Sequence, residues 1–161
     1  MSLHEGKPIM FLGGPITHLA KKGSPNNQYK NIFFEVFSEL SKHAHVKSAH
    51  IEEDFGNIIY TPTEIAQRDL NWIDKAHILL FIFPMCFETG MPLRTDGTFI
   101  ELGYAATKLK PTAVFMADTH NHSLLTQGLL QQKPWIHSKQ ITLEAILETA
   151  YKMLDELSWR N

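Results

Sequence analysis

Two neighbouring stretches decide the fold of this chain: His77-Ile78-Leu79-Leu80-Phe81-Ile82-Phe83-Pro84 and Thr95-Asp96-Gly97-Thr98-Phe99-Ile100-Glu101-Leu102-Gly103-Tyr104-Ala105. The first is apolar after its opening histidine. Such a run reads as a strand buried on both faces and therefore central in a sheet, here Ile78 to Phe83. The second begins as a polar turn at Asp96-Gly97-Thr98 and passes into a helical pattern from Thr98 that proline stops near Lys110-Pro111. Its one carboxylate within the helix, Glu101, falls in the expected first turn. Strand, loop, Gly-Thr turn and helix is how open α/β sheets build sites at the carboxyl ends of their strands.

The rest of the chain extends the same alternation. Pro8 to Leu12 is a short apolar strand closed by Gly13-Gly14-Pro15, where glycines allow a sharp turn and a close ligand approach. Tyr29, Ile32, Phe33, Val36, Phe37 and Leu40 recur at i, i+3, i+4, i+7, i+8 and i+11, the stripe of an amphipathic helix. Val46 to Ile51 reads as a weak second strand and Glu52 to Tyr60 as a loop. Thr61-Pro62-Thr63-Glu64 starts a helix that runs to about Lys75. Thr112 to Met116 is a fourth strand, Leu124 to Gln132 a short helix, and Trp135-Ile136-His137 a short fifth strand. Leu143, Ile146, Leu147, Ala150, Leu154 and Leu157 define a closing helix. Strands alternating with helices predict a parallel sheet covered on both faces. The expected architecture is a flavodoxin-like (Rossmann-like) three-layer α/β fold, five parallel strands in the order 2-1-3-4-5, in a single domain over 1–161. The first and third strands then flank the switch point, and Gly13-Gly14-Pro15 faces Asp96-Gly97-Thr98 and Glu101 across one crevice.

Composition narrows the function classes. The chain has 161 residues, 43% apolar and 20% charged, with net charge -2 and nine histidines. No basic footprint marks a nucleic acid polymer as partner. Cys86 is the single cysteine, which excludes an intramolecular disulfide and suits a reducing compartment. The N-terminus lacks the apolar stretch of a signal peptide, and no apolar run is long enough to span a bilayer, so a cytoplasmic protein without a membrane partner is expected.

Two carboxylates stand out. Asp69 shares an apolar stripe with Ile65, Trp72, Ile73 and Ala76, and burying an ionised carboxylate costs several kcal/mol unless it is paired. It is either a stripe-edge residue paired with Arg68, Lys75 or a helix N-terminus, or a carboxyl of raised pKa that serves as a proton donor. Glu101 sits three residues after Thr98, the spacing of a capping box. The same position also suits a nucleophilic carboxylate held at a helix N-terminus, and the two roles are compatible. Other signals are weaker. Gly13-Gly14-Pro15 lacks the dinucleotide fingerprint and has no Walker lysine. Asp118-x-His120-x-His122 reads as a polar loop rather than a metal site, and no metal is expected. Cys86 has no histidine nearby in sequence, and the other histidines read as surface residues.

Three blocks, in order, resemble the nucleoside 2-deoxyribosyltransferase family: Phe11 to Pro15, Gln67 to Ala76 (QRDLNWIDKA), and Gly97 to Ala105 (GTFIELGYA). The likeness runs from about residue 8 to 116 and is loose beyond Asp118. It implies a flavodoxin-like enzyme, dimeric or larger, that breaks and remakes the N-glycosidic bond of 2'-deoxynucleosides through a covalent deoxyribosyl-glutamate. Glu101 is then the nucleophile, and Asp69 contacts the base and helps protonate it. Phe11, Gly13, Gly14, Pro15, Thr17, Trp72, Thr95, Asp96, Gly97 and Thr98 are expected around the substrate, a nucleoside or nucleotide with its free base. The oxocarbenium-like transition state needs a close carboxylate and a proton for the leaving base, and no metal or organic cofactor.

Three departures touch substrate choice. Phe11 stands where many relatives have a tyrosine that orients the glutamate. Thr95 stands six residues before Glu101, where transferases have a sugar-binding aspartate; here Asp96 is one step later. A related branch that hydrolyses deoxynucleoside 5'-monophosphates has serine at that place, and an arginine where this chain has Thr17, with His18, Lys21 and Lys22 close by. A hydrolase of monophosphates is thus the second expectation, and a non-catalytic nucleotide-binding module the third.

Overall fold

The structure, a computed structural model, describes residues 6–16, 27–86, 88–93 and 95–158. In chain order these form β1 (Ile9–Gly13), α1 (Asn27–Leu40), β2 (His45–Lys47), α2 (Ala49–Glu52), a 3-10 turn at Asp54–Gly56, α3 (Pro62–Lys75), β3 (Ile78–Phe83) and α4 (Asp96–Ala105). β4 (Thr112–Met116), α5 (Leu124–Gln132), β5 (Ile136–Ser138) and α6 (Leu143–Ser158) complete the order. The five strands make one parallel sheet, β2-β1-β3-β4-β5, the flavodoxin-like order expected from the sequence. Phe11 pairs with Leu79 and Gly13 with Phe81, so β1 and β3 lie side by side at the switch point.

Strand alternation divides the core into two layers. Met10, Leu12, Ile78, Leu80, Ile82 and Phe115 face α1 and α6, where Phe33, Val36, Ile146 and Ala150 meet them. Phe11, Leu79, Phe81, Phe83, Val114 and Met116 face the opposite way, toward Ile73 of α3, Leu102 and Ala105 of α4, and Leu130 of α5. All six residues of β3 are buried, as its unbroken apolar run requires of a central strand. Each such Leu, Ile or Phe contributes about 1.5–3 kcal/mol by leaving water.

Local chemistry sets the helix ends, in one case against expectation. Thr61 caps α3 with a full capping box: the Glu64 N–H donates to its hydroxyl, and its own N–H donates to Glu64 Oε2 at 2.8 Å. α4 starts at Asp96, two residues earlier than the turn at Asp96-Gly97-Thr98 predicted, with Thr95 as its N-cap residue. The supposed turn is the helix's first turn. Glu101 therefore lies in the second turn, and the Thr98–Glu101 capping box does not exist.

Two further expectations are corrected. The weak second strand over Val46–Ile51 is a strand only at His45–Lys47, and Ala49–Glu52 is helical. The cause is tertiary: His50 is drawn inward, where its ring stacks on Phe33 at 3.9 Å and its Nε2 meets the carbonyl of Pro15 at 3.0 Å. His50 is consequently 1% exposed, not a surface histidine. Among the described residues no helix is long and apolar enough to cross a membrane.

Candidate active site

A cavity of about 680 Å³ opens at the switch point, within the range that small-molecule sites occupy. The end of β1 supplies its floor with Phe11, Gly13, Gly14 and Pro15. His50, Glu53 and Gly56 close one side, Asp69 enters from α3, and Thr95 to Thr98 with Glu101 enter from α4. Sheet order alone unites these segments, because β1 lies between β2 and β3. Both glycines are needed for the fit rather than for backbone freedom. A Cβ on Gly13 would lie 2.8 Å from the Phe11 ring and 3.2 Å from Glu101 Oε2. On Gly14 it would meet the Phe33 ring and sit 2.9 Å from the carbonyl oxygen of Ile82.

Asp69 and Glu101 are hydrogen-bonded to each other through their carboxyl groups. Burial pushes the Glu101 carboxyl well above its usual range; the charge of Asp69 and its hydrogen bond push it the same way, Arg68 opposes, and Glu53 adds to the rise. Asp69, only 6% exposed, is anchored from behind: Arg68 Nε donates to its Oδ1 at 2.7 Å, while Arg68 Nη2 donates to Glu53 Oε1 at 2.5 Å. The guanidinium is flanked by the rings of Trp72 at 4.8 Å and Tyr60 at 5.2 Å. Asp69 meets the first of the two sequence readings, being paired with Arg68, and its carboxyl lines the cavity beside Glu101.

His50 braces the opposite wall. The Pro15 carbonyl can only accept, so Nε2 carries the proton and Nδ1 accepts from the Ser48 hydroxyl at 3.2 Å. Full burial lowers its pKa to about 4, so the ring is neutral at physiological pH. At the start of α4 the Thr95 hydroxyl donates to that of Thr98, and both residues are buried.

Of the residues singled out from sequence, Phe11, Gly13, Gly14, Pro15, Asp69, Thr95, Asp96, Gly97, Thr98 and Glu101 share this cavity. Trp72 does not line it; the ring packs beneath Arg68 and against the α3 layer of the core. Thr17, His18, Lys21 and Lys22 lie outside the described residues. The Asp118 carboxylate accepts from the His120 N–H at 2.8 Å and the Asn121 amide at 2.7 Å, and among the described residues no three His, Cys, Asp or Glu side chains are grouped to hold a metal ion. Sequence reasoning missed His50 and Glu53. The one available signal for His50 was its place between Ala49 and Ile51; Glu53, next to Glu52 and Asp54, offered none.

Residues 10–153 match the family described as nucleoside 2-deoxyribosyltransferase. The chain belongs to that family. Comparison with curated proteins finds no match. Among solved structures the fold recurs in BlsM, with TM-score 0.68 and 21% identity over 95% of both chains. It recurs in the CMP N-glycosidase BcmB of Clostridium botulinum, with TM-score 0.58 and 16% identity over 94% of this chain and 98% of that one. A 2-desoxiribosyltransferase from Leishmania mexicana gives 0.56 and 17% identity over 91% and 97%. At these identities the likeness is one of fold, and the family's chain-long match spans the β1, α3 and α4 segments that build the cavity.

Proposed function

We propose that the protein cleaves the N-glycosidic bond of a 2'-deoxynucleoside and passes the 2-deoxyribosyl group to a second base. The observation that carries this reading is the hydrogen-bonded Asp69–Glu101 pair inside a cavity sized for a nucleoside. Glu101 attacks C1' as the bond to the base lengthens, and its carboxylate first stabilises the oxocarbenium-like centre and then forms the glycosyl ester. Asp69 faces the base and delivers the proton with which the base departs. A second base reverses both steps, so configuration at C1' is retained after two displacements. Phe11 has no hydroxyl to orient Glu101, a task that falls to Asp69. Gly13, lacking a side chain, leaves room at the Glu101 carboxyl.

A hydrolase of nucleoside 5'-monophosphates is the second reading. The observation favouring it is the Thr95–Thr98 hydroxyl pair at the N-terminal end of α4, a position whose backbone amides and dipole suit an anion. The C. botulinum structure is that of a CMP N-glycosidase, consistent with such a substrate on this fold. Incubating deoxynucleosides and deoxynucleotides with and without a second free base separates the two. Base exchange is expected; release of free sugar or sugar phosphate regardless of acceptor would replace transfer by hydrolysis. Binding without any turnover across bases and phosphorylation states would defeat both.

A further inference from the structure

A hydrogen bond between two carboxyl groups requires one proton between them, and here Oδ1 of Asp69 is in an ion pair with Arg68 Nε at 2.7 Å. A fixed cation on Asp69 favours Asp69 as the acceptor and Glu101, the residue that must attack as a carboxylate, as the holder of the proton. We propose that Asp69 and Glu101 form a one-proton relay in which the nucleophile itself supplies the proton the leaving base takes, with Arg68, held by Glu53, as the positioning residue that sets where this proton rests. The inference rests on the reading of Glu101 and Asp69 given above.

The step balances without an outside acid. As the C1'–N bond breaks, its electron pair passes to the base. The single dyad proton crosses the hydrogen bond from Glu101 to Asp69 and passes on from Asp69 to a base nitrogen. The Glu101 oxygen so released forms the bond to C1'. One proton leaves the dyad and one glycosyl group joins it; an incoming base returns its proton by the same path.

The guanidinium suits this role. It is clamped between Glu53 and Asp69 and between two aromatic rings, so it cannot follow the proton. Its Nη1 is buried with no hydrogen-bond partner among the described residues. The charged and titratable groups around Glu101 are Asp69, Arg68 and Glu53, with Asp96 and neutral His50 lining the same cavity. Arg68 and Glu53 act on the dyad with opposite signs.

The test exploits that opposition. Carboxyl 13C NMR titration of the free protein, with labelled Asp and Glu, reads the two macroscopic ionisations of the dyad without any turnover. Arg68→Gln is expected to raise the upper ionisation by about one pH unit or more, Arg68→Lys to restore part of the shift, and Glu53→Gln to lower it. The alkaline limb of the kcat/KM profile should move with each. A structural role would lower activity at every pH and leave the limbs in place. Glu101 titrating in the ordinary carboxylate range, or the two substitutions shifting the dyad in the same direction or not at all, overturns the proposal. Should Arg68→Gln fail to fold, Arg68→Lys and Glu53→Gln still carry the sign. The shifts in a protein that exchanges no bases would sink the transferase reading and keep the dyad; normal exchange without shifts would do the reverse.

Discussion

Glu101 and His50 illustrate how a single buried group couples chemistry to stability. Glu101 has its pKa raised by burial and then by Asp69, so the folded state holds its proton more tightly than the unfolded chain. The associated stability is present below the unfolded pKa and lost as pH rises through the folded one. Replacing Glu101 by Gln removes the ionisation and this loss together. Turnover should fall by at least about three orders of magnitude, because an amide cannot form the glycosyl ester, while the melting temperature at neutral pH should rise rather than fall. Calorimetry beside a base-exchange assay checks both, and near-normal turnover in the variant would reject covalent catalysis here. His50 works in the other direction. Its pKa falls from 6.5 unfolded to about 4 folded, so stability is lost as pH drops through this window, by up to about 3 kcal/mol. Thermal unfolding of the wild type should show that decline, and His50→Gln, which cannot protonate, should flatten it.

At the level of elements, the same four-residue spacing does different work in two helices. Thr61-Pro62-Thr63-Glu64 closes a capping box, whereas Thr98-Phe99-Ile100-Glu101 lies wholly inside α4 and leaves its glutamate free of backbone duty. Thr61→Ala should lower unfolding free energy by about 1 kcal/mol with kcat unchanged, measured by urea denaturation and initial rates. The end of β1 offers a second contrast. A Cβ on Gly14 meets Phe33 and a strand carbonyl, which cannot yield easily, so Gly14→Ala should cost about 1–3 kcal/mol of stability. Gly13→Ala crowds Phe11 and Glu101 and should depress kcat/KM more than it depresses the melting temperature.

Across the whole molecule, apolar surface gathers beside the site. Ile100 of α4 is 68% exposed and Leu124 and Leu125 of α5 84% and 83%, and Leu125 lines a second hollow formed by α4, α5 and the loop at Asn121 to Ser123. We propose that water-facing apolar residues of this size are covered by a second copy of the chain, in line with the dimer or larger assembly that the family resemblance implies. Leu125→Asp should shift sedimentation toward monomer and lower activity in parallel at micromolar concentration; a strictly monomeric, fully active wild type would contradict it. Fold and partners differ in how far they could be read in advance. The apolar run of β3, the period of α1 and the strand–helix alternation are local, one-dimensional consequences of burial, and with right-handed crossovers they leave few topologies open. The sheet order and the meeting of Gly13, Asp69 and Glu101 were therefore legible in the chain. Which of Arg68, Lys75 or a helix N-terminus balances Asp69, where α4 begins, and that His50 turns inward while Glu53 anchors Arg68 were not. Those outcomes depend on desolvation and on charges brought together from β1, α2, α3 and α4, segments up to about ninety residues apart in sequence, whose encounter exists only after the sheet has formed.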